Sequence, residues 1–259
     1  MKILQSCFLL LLTSFYSQAT TPPTREFYEI KIYQLASPEQ EKQVDDFLKD
    51  AYLPALHRAG IKSVGVFKPI ESDTAYFGKR IIVLIPYASL EQFTGLQDVL
   101  SKDKQYQAAG KNYLDAPYTN PPFARIESVI LKAFKDMPKL EVPKLNTPAN
   151  ERIYELRSYE GYTEKIYKNK EKMFNEGGEI VLFKRLGFNA VFYAEVLAGS
   201  RKPNLMYMTS FVNQASRDEH WKTFGADPEW KKISSMPEYQ KNVSTINIYL
   251  LHPAAYSDL

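Results

Sequence analysis

The chain has 259 residues, 33 basic and 30 acidic side chains for a net charge of +3, and one cysteine. A balance this even, without long single-sign runs, excludes the concentrated basic patch that nucleic acid or an anionic membrane surface would need. Aromatics are abundant, with 18 Tyr and 15 Phe, and such side chains fill cores and also line apolar ligand cavities.

In chain order, Met1-Lys2 leads into an apolar run from Ile3 to Phe15 and then into Ser17-Gln18-Ala19. A positive start, a short apolar core and small residues before a cleavage point describe a secretory signal peptide. Residues 1–19 are therefore expected to be removed near Ala19, leaving an exported protein in the periplasm or outside the cell. The run is shorter than the ~20 residues that cross a bilayer comfortably, and no later segment is a transmembrane candidate. Cys7 sits inside this signal, ahead of most of its apolar core, so a lipid anchor is not expected. The mature chain then has no thiol, which removes disulfides, thiolate nucleophiles and cysteine-based metal sites together.

The mature sequence reads as one pattern written twice. Phe27-Tyr28-Glu29-Ile30-Lys31-Ile32-Tyr33 has the alternation of a strand, and Ile153-Tyr154-Glu155-Leu156-Arg157-Ser158-Tyr159 repeats it. A helix follows each copy. Ser37-Pro38-Glu39-Gln40 is a capping box with proline at the first helical position, and Pro54 should kink or restart that helix. Thr163 is the expected cap of the counterpart, whose helical region to Leu186 is longer and interrupted by Gly177-Gly178. Each helix stops at a glycine, Gly60 or Gly187, and runs into strands: Val64–Phe67 and Arg80–Ile85, then Ala190–Val196 and Leu205–Phe211. A second capping box opens the next helix, at Ser89–Gln92 and at Ser216–Glu219. Closing strands are expected at Arg125–Phe134 and Thr245–Leu251.

Strand, helix, strand, strand, helix, strand, twice over, is the split βαβ plan. The fold class is therefore α+β: two tandem ferredoxin-like units, at residues 26–134 and 151–252. The proline-bearing stretch 135–150, with Pro138, Pro143 and Pro148, reads as a stiff, mostly extended linker.

The Tyr-Glu-apolar-base-x-Tyr opening of each half, Pro54-Ala55-Leu56-His57-Arg58-Ala59-Gly60, and Trp221 followed by Asp227-Pro228-Glu229-Trp230 resemble the NIPSNAP family. That resemblance implies a dimeric α/β barrel, with two ferredoxin-like sheets face to face and helices outside, here made within one chain. It brings no catalytic motif. Structural relatives of the family include small monooxygenases and haem-handling enzymes, an analogy of fold alone.

Strand alternation puts Glu29, Lys31 and Tyr33 on one face, and Glu155, Arg157 and Tyr159 on its counterpart. If the other face covers the helices, these residues point into the barrel and surround a small, partly apolar ligand between the two repeats. The competing reading makes them structural ion pairs at the seam between sheets. His57 and His220 are the histidines to weigh as ligand-binding groups or haem ligands. No metal-ligand spacing, phosphate loop or nucleophile elbow occurs, and Lys170-Glu171-Lys172 reads as a solvated helix face. The expectation is thus a ligand-binding protein with no required cofactor, haem left open, and no nucleic-acid partner; self-association stays open. The alternatives are a monooxygenase-like or haem-handling oxidoreductase and a protein-interaction module.

Overall fold

The structure, a computed structural model, describes residues 24–259. The expected export signal, its cleavage point near Ala19 and Cys7 lie outside them. The first half runs β1 (Phe27–Gln34), α1 (Pro38–Phe47), a π-helical turn (Leu48–Tyr52), α2 (Leu53–Arg58), β2 (Gly65–Pro69), β3 (Arg80–Tyr87), α3 (Leu90–Lys102), α4 (Lys104–Ala109), α5 (Lys111–Leu114) and β4 (Arg125–Ala133). The second half runs β5 (Ile153–Glu160), α6 (Glu164–Asn175), α7 (Glu179–Arg185), β6 (Asn189–Ala198), β7 (Asn204–Phe211), α8 (Gln214–Ala226), α9 (Pro228–Ser235), a 3-10 turn (Pro237–Tyr239) and β8 (Thr245–Pro253).

Local chemistry explains where the helices begin and break. Ser37 Oγ accepts the Gln40 N–H at 3.3 Å while Gln40 Oε1 accepts the Ala36 N–H at 2.8 Å, and Ser89, Gln92 and Ala88 repeat the arrangement. Thr163 caps α6 through the Ile166 N–H at 3.2 Å. The fourth cap differs from expectation. Asn213, not Ser216, caps α8, its side-chain oxygen accepting the Ser216 N–H at 2.9 Å. Asn caps as well as Ser, and the earlier start carries Arg217 and Trp221 into the body of the helix. Pro54 is accommodated by the π-helical turn before it, since proline removes one N–H from the ladder. Gly178, at φ 86°, makes the break between α6 and α7, a backbone state that costs glycine little.

All strand pairs are antiparallel, and the order β1-β3-β2-β8-β5-β7-β6-β4 closes into a barrel when β4 returns to β1. Each half supplies one ferredoxin-like sheet. The sheets join where Phe67 of β2 faces Pro253 of β8, and where Lys132 of β4 faces Glu195 of β6. Closure leaves neither sheet with a free edge.

The barrel interior corrects the expected orientation of the first strands. Tyr28 and Ile30 of β1, Tyr154 and Leu156 of β5, and Phe67, Phe192 and Met208 pack there in one apolar cluster. Tyr28 meets Phe192 with ring centroids 5.2 Å apart, and Phe67 meets Tyr154 at 4.8 Å. Eight strands leave an interior just wide enough for such side chains, where Glu29, Lys31, Glu155 or Arg157 would each lie desolvated among apolar neighbours. The polar set instead faces the helices, which bring hydrogen-bonding partners. The centre of the barrel, between the repeats, is packed by these side chains, and a recess of about 50 Å³ is left at one mouth, lined by residues of both halves.

Between β4 and β5 the chain is extended and strapped onto the barrel. The Leu140 N–H donates to Glu26 Oε2 at 2.8 Å, the Glu141 N–H donates to the Val191 carbonyl at 3.0 Å, and Met137 and Leu145 are buried. Among the described residues no helix is long and apolar enough to cross a membrane.

Candidate ligand site

In the first half, the outward face of β1 looks up at α1, the π-helical turn and α3. A cleft of about 420 Å³ opens there, lined by Glu29, Lys31 and Tyr33 below and by Tyr52, Phe93 and Tyr113 above and around. The aromatic wall is ordered by its own packing. Phe47 stacks on Tyr113 at 3.7 Å between centroids and on Tyr52 at 5.6 Å, and Tyr87 meets Phe93 edge-on at 5.4 Å.

Glu29 is almost fully buried and its oxygens are committed. Tyr87 donates to Oε2 at 3.1 Å, Ser128 donates to Oε1 at 2.5 Å, and the Lys31 ammonium lies 3.6 Å from Oε1. Lys31 is different. It donates to the Tyr52 hydroxyl at 3.1 Å and touches Glu29 only loosely. An ammonium has three donors, so one remains for a ligand. Burial works against the charge of Lys31, yet Tyr52 and Glu29 outweigh it and hold its pKa above the usual lysine value. Burial pushes the phenols of Tyr33 and Tyr87 up, and that of Tyr52 up despite the pull of Lys31. At neutral pH the cleft is thus a ring of neutral phenols around one accessible cation.

The second half builds the same strand differently. Glu155, fully buried, accepts from Arg157 Nε at 2.6 Å, from Arg217 Nε at 2.8 Å and Nη2 at 2.9 Å, and from Trp221 Nε1 at 2.7 Å. The Arg157 guanidinium lies 3.6 Å from the Trp221 ring and donates to Tyr159, whose hydroxyl shares a 2.9 Å bond with Tyr207. Lys170 is not on a solvated face. It is buried and paired with Glu179 at 2.7 Å, a carboxyl that burial pushes up despite its Lys170 partner. Counted from the caps Ser89 and Asn213, Trp221 stands where the first half has the exposed Gln97, and Arg217 where it has Phe93. Protein side chains thus occupy the counterpart of the cleft.

Of the sequence-selected residues, Glu29, Lys31 and Tyr33 come together in one open site, and Glu155, Arg157 and Tyr159 in a sealed one. The histidines join neither. His57 Nε2 is 2.8 Å from Asp258 on the outer surface. His220 Nδ1 contacts the Ser216 carbonyl at 2.6 Å, with its ring against Phe188 and Phe211. No histidine lines the cleft, so haem would find no imidazole ligand there. Among the described residues, no cluster of three or more metal-ligating side chains forms. Sequence reading missed Tyr52, Tyr87 and Tyr113 as site residues. Tyr87 was within reach, because it ends a strand whose outward positions border those of β1.

Residues 154–258 match the model of the NIPSNAP family, while the first half repeats the element order outside the matched range. No curated protein matches the chain. A candidate monooxygenase from Lactobacillus acidophilus NCFM shares the fold over 88% of this chain and 94% of its own, with a TM-score of 0.58 and 9% identity. An anthrone oxidase-like protein does so over 89% and 92%, with a TM-score of 0.52 and 10% identity. A NIPSNAP family protein from Agrobacterium tumefaciens strain C58 matches 42% of this chain and 98% of its own, at 21% identity and a TM-score of 0.37.

Proposed function

Starting from a chain that carries a NIPSNAP domain over residues 154–258, we propose that it is an exported protein binding one small, partly apolar molecule in the cleft of its first half. The ligand lays its apolar part among the aromatic lining and places an anionic oxygen on Lys31. The observation that carries this reading is the charged Lys31, which keeps an uncommitted donor inside an aromatic-lined cleft. A planar aromatic carboxylate fits both features, because the rings supply apolar contact and the ammonium a charge-assisted hydrogen bond.

Titration calorimetry with 1-naphthoate tests it. A hydrogen bond to a charged group contributes about 1.5–3 kcal/mol. Lys31→Met should therefore weaken 1-naphthoate tenfold or more while the fold persists by circular dichroism. Equal affinity in the variant would remove Lys31 from the site and the proposal with it.

A second use of the same cleft is suggested by the names of the fold relatives, a candidate monooxygenase and an anthrone oxidase-like protein. Lys31 and Tyr52 would then hold a phenolate during its oxidation by dioxygen. Glu29 is held by Tyr87 and Ser128, and Glu155 is locked to Arg157, so neither carboxylate is a free base and binding is the first reading. Oxygen uptake on adding a polyphenol would move the balance toward oxidation.

A further inference from the structure

One mouth of the barrel carries polar groups that neither the fold nor the cleft uses. We infer that it is a second small-molecule site, contributed by both halves, which takes a short aliphatic hydroxy acid. The recess there holds about 50 Å³, with Val129, Leu156 and Met206 among its apolar walls. Ser158 and Asn204, both buried, line it. Asn204 Nδ2 donates to Ser158 Oγ at 3.0 Å, but Asn204 Oδ1 is buried with no partner. Buried polar atoms are nearly always paired, so this oxygen calls for a donor from outside the protein.

The rim supplies the other half of the recognition. The Arg80 guanidinium carbon lies 3.6 Å from the centre of the Tyr76 ring, and its side chain makes no ion pair or hydrogen bond among the described residues. Its neighbours on the rim are committed. Arg201 reaches Glu160 at 3.5 Å, and Glu127 accepts the Ser200 hydroxyl at 3.0 Å. A free guanidinium is a planar fork suited to a carboxylate. A ligand hydroxyl donating to Asn204, a carboxylate on Arg80 and a short alkyl chain along the apolar wall would satisfy all three features. Since a water needs at least about 10–15 Å³ of such space, the recess has room for a small alkyl group. This site differs from the cleft in place and in ligand, and it does not depend on the cleft being occupied.

Saturation-transfer NMR on the full chain, with 2-hydroxybutyrate and butyrate in parallel, tests the inference. We expect 2-hydroxybutyrate to bind and butyrate to bind at least tenfold more weakly. Arg80→Gln and Arg80→Met, which differ in polarity but both lack the charge, should each lower 2-hydroxybutyrate affinity tenfold or more. Lys31→Met should leave it unchanged. The inference is overturned if 2-hydroxybutyrate does not bind, if butyrate binds equally well, or if neither Arg80 variant weakens binding. Loss of binding in Lys31→Met would place the ligand in the cleft instead and would equally overturn it.

Discussion

Two glutamates at matching strand positions meet different fates. Glu29 keeps hydroxyl partners and a loose lysine, whereas Glu155 is clamped by two arginines and an indole. Burial alone would raise the Glu155 carboxyl, but hydrogen bonds from Arg217 and Trp221 and the charges of Arg157 and Arg217 hold it below the usual value. For an acid with a depressed folded value, the unfolded chain takes up the proton first. The stabilisation is therefore complete above the ordinary glutamate pKa, about 4.3, and is lost as pH falls through the folded value. Urea denaturation across pH should show the parent losing stability in that acid range more steeply than Glu155→Gln. Glu155→Ala leaves the buried Arg157 without its carboxylate and the half-buried Arg217 with Asp218 alone, a defect of about 3–5 kcal/mol. Differential scanning calorimetry should then record a melting temperature lower by roughly 6–20 °C. A change within a degree or two would mean the network is not structural. The sequence revealed the acid–base pairing along each strand, but not the partners arriving from α8, because tertiary contact is invisible to spacing.

Among the elements, α3 and α8 decide which half stays open. Both begin at a cap just after a strand, and they then diverge in what they lower onto β1 and β5: Gln97 and Phe93 over one, Trp221 and Arg217 over the other. Gln97→Trp should copy the seal into the first half. Binding of 1-naphthoate should fall tenfold or more in calorimetry while the fold persists by circular dichroism; unchanged binding would show that α3 does not border the site. Helix starts at Ser37, Ser89 and Thr163 were legible because a cap is a local device. The fourth was misread because Asn213 and Ser216 are both competent caps, and only the end of β7 selects between them. The burial of Lys170 was equally hidden. Its partner Glu179 lies beyond the Gly177-Gly178 break, so no helical spacing links the two.

At the scale of the whole molecule, the repeat in the sequence foretold two ferredoxin-like sheets, and their closure follows from it. Which face of β1 and β5 turns inward was not legible. Alternation assigns residues to two faces without saying which is in, and Tyr28, Ile30 and Leu156 proved the better interior fill. Closure also makes the halves mutually dependent. Cutting the linker at a protease site placed near Pro143 should leave both pieces in one complex on size-exclusion chromatography, because separation exposes the edges of β2, β4, β6 and β8. Two independent monomers would contradict a single barrel.

The central claim is that duplication left one open cleft and one sealed copy, and native mass spectrometry of the full chain titrated with 1-naphthoate addresses it most directly. One bound molecule per chain, lost in Lys31→Met, is the predicted result. Two equivalent bound molecules, or one that survives Lys31→Met, would contradict it.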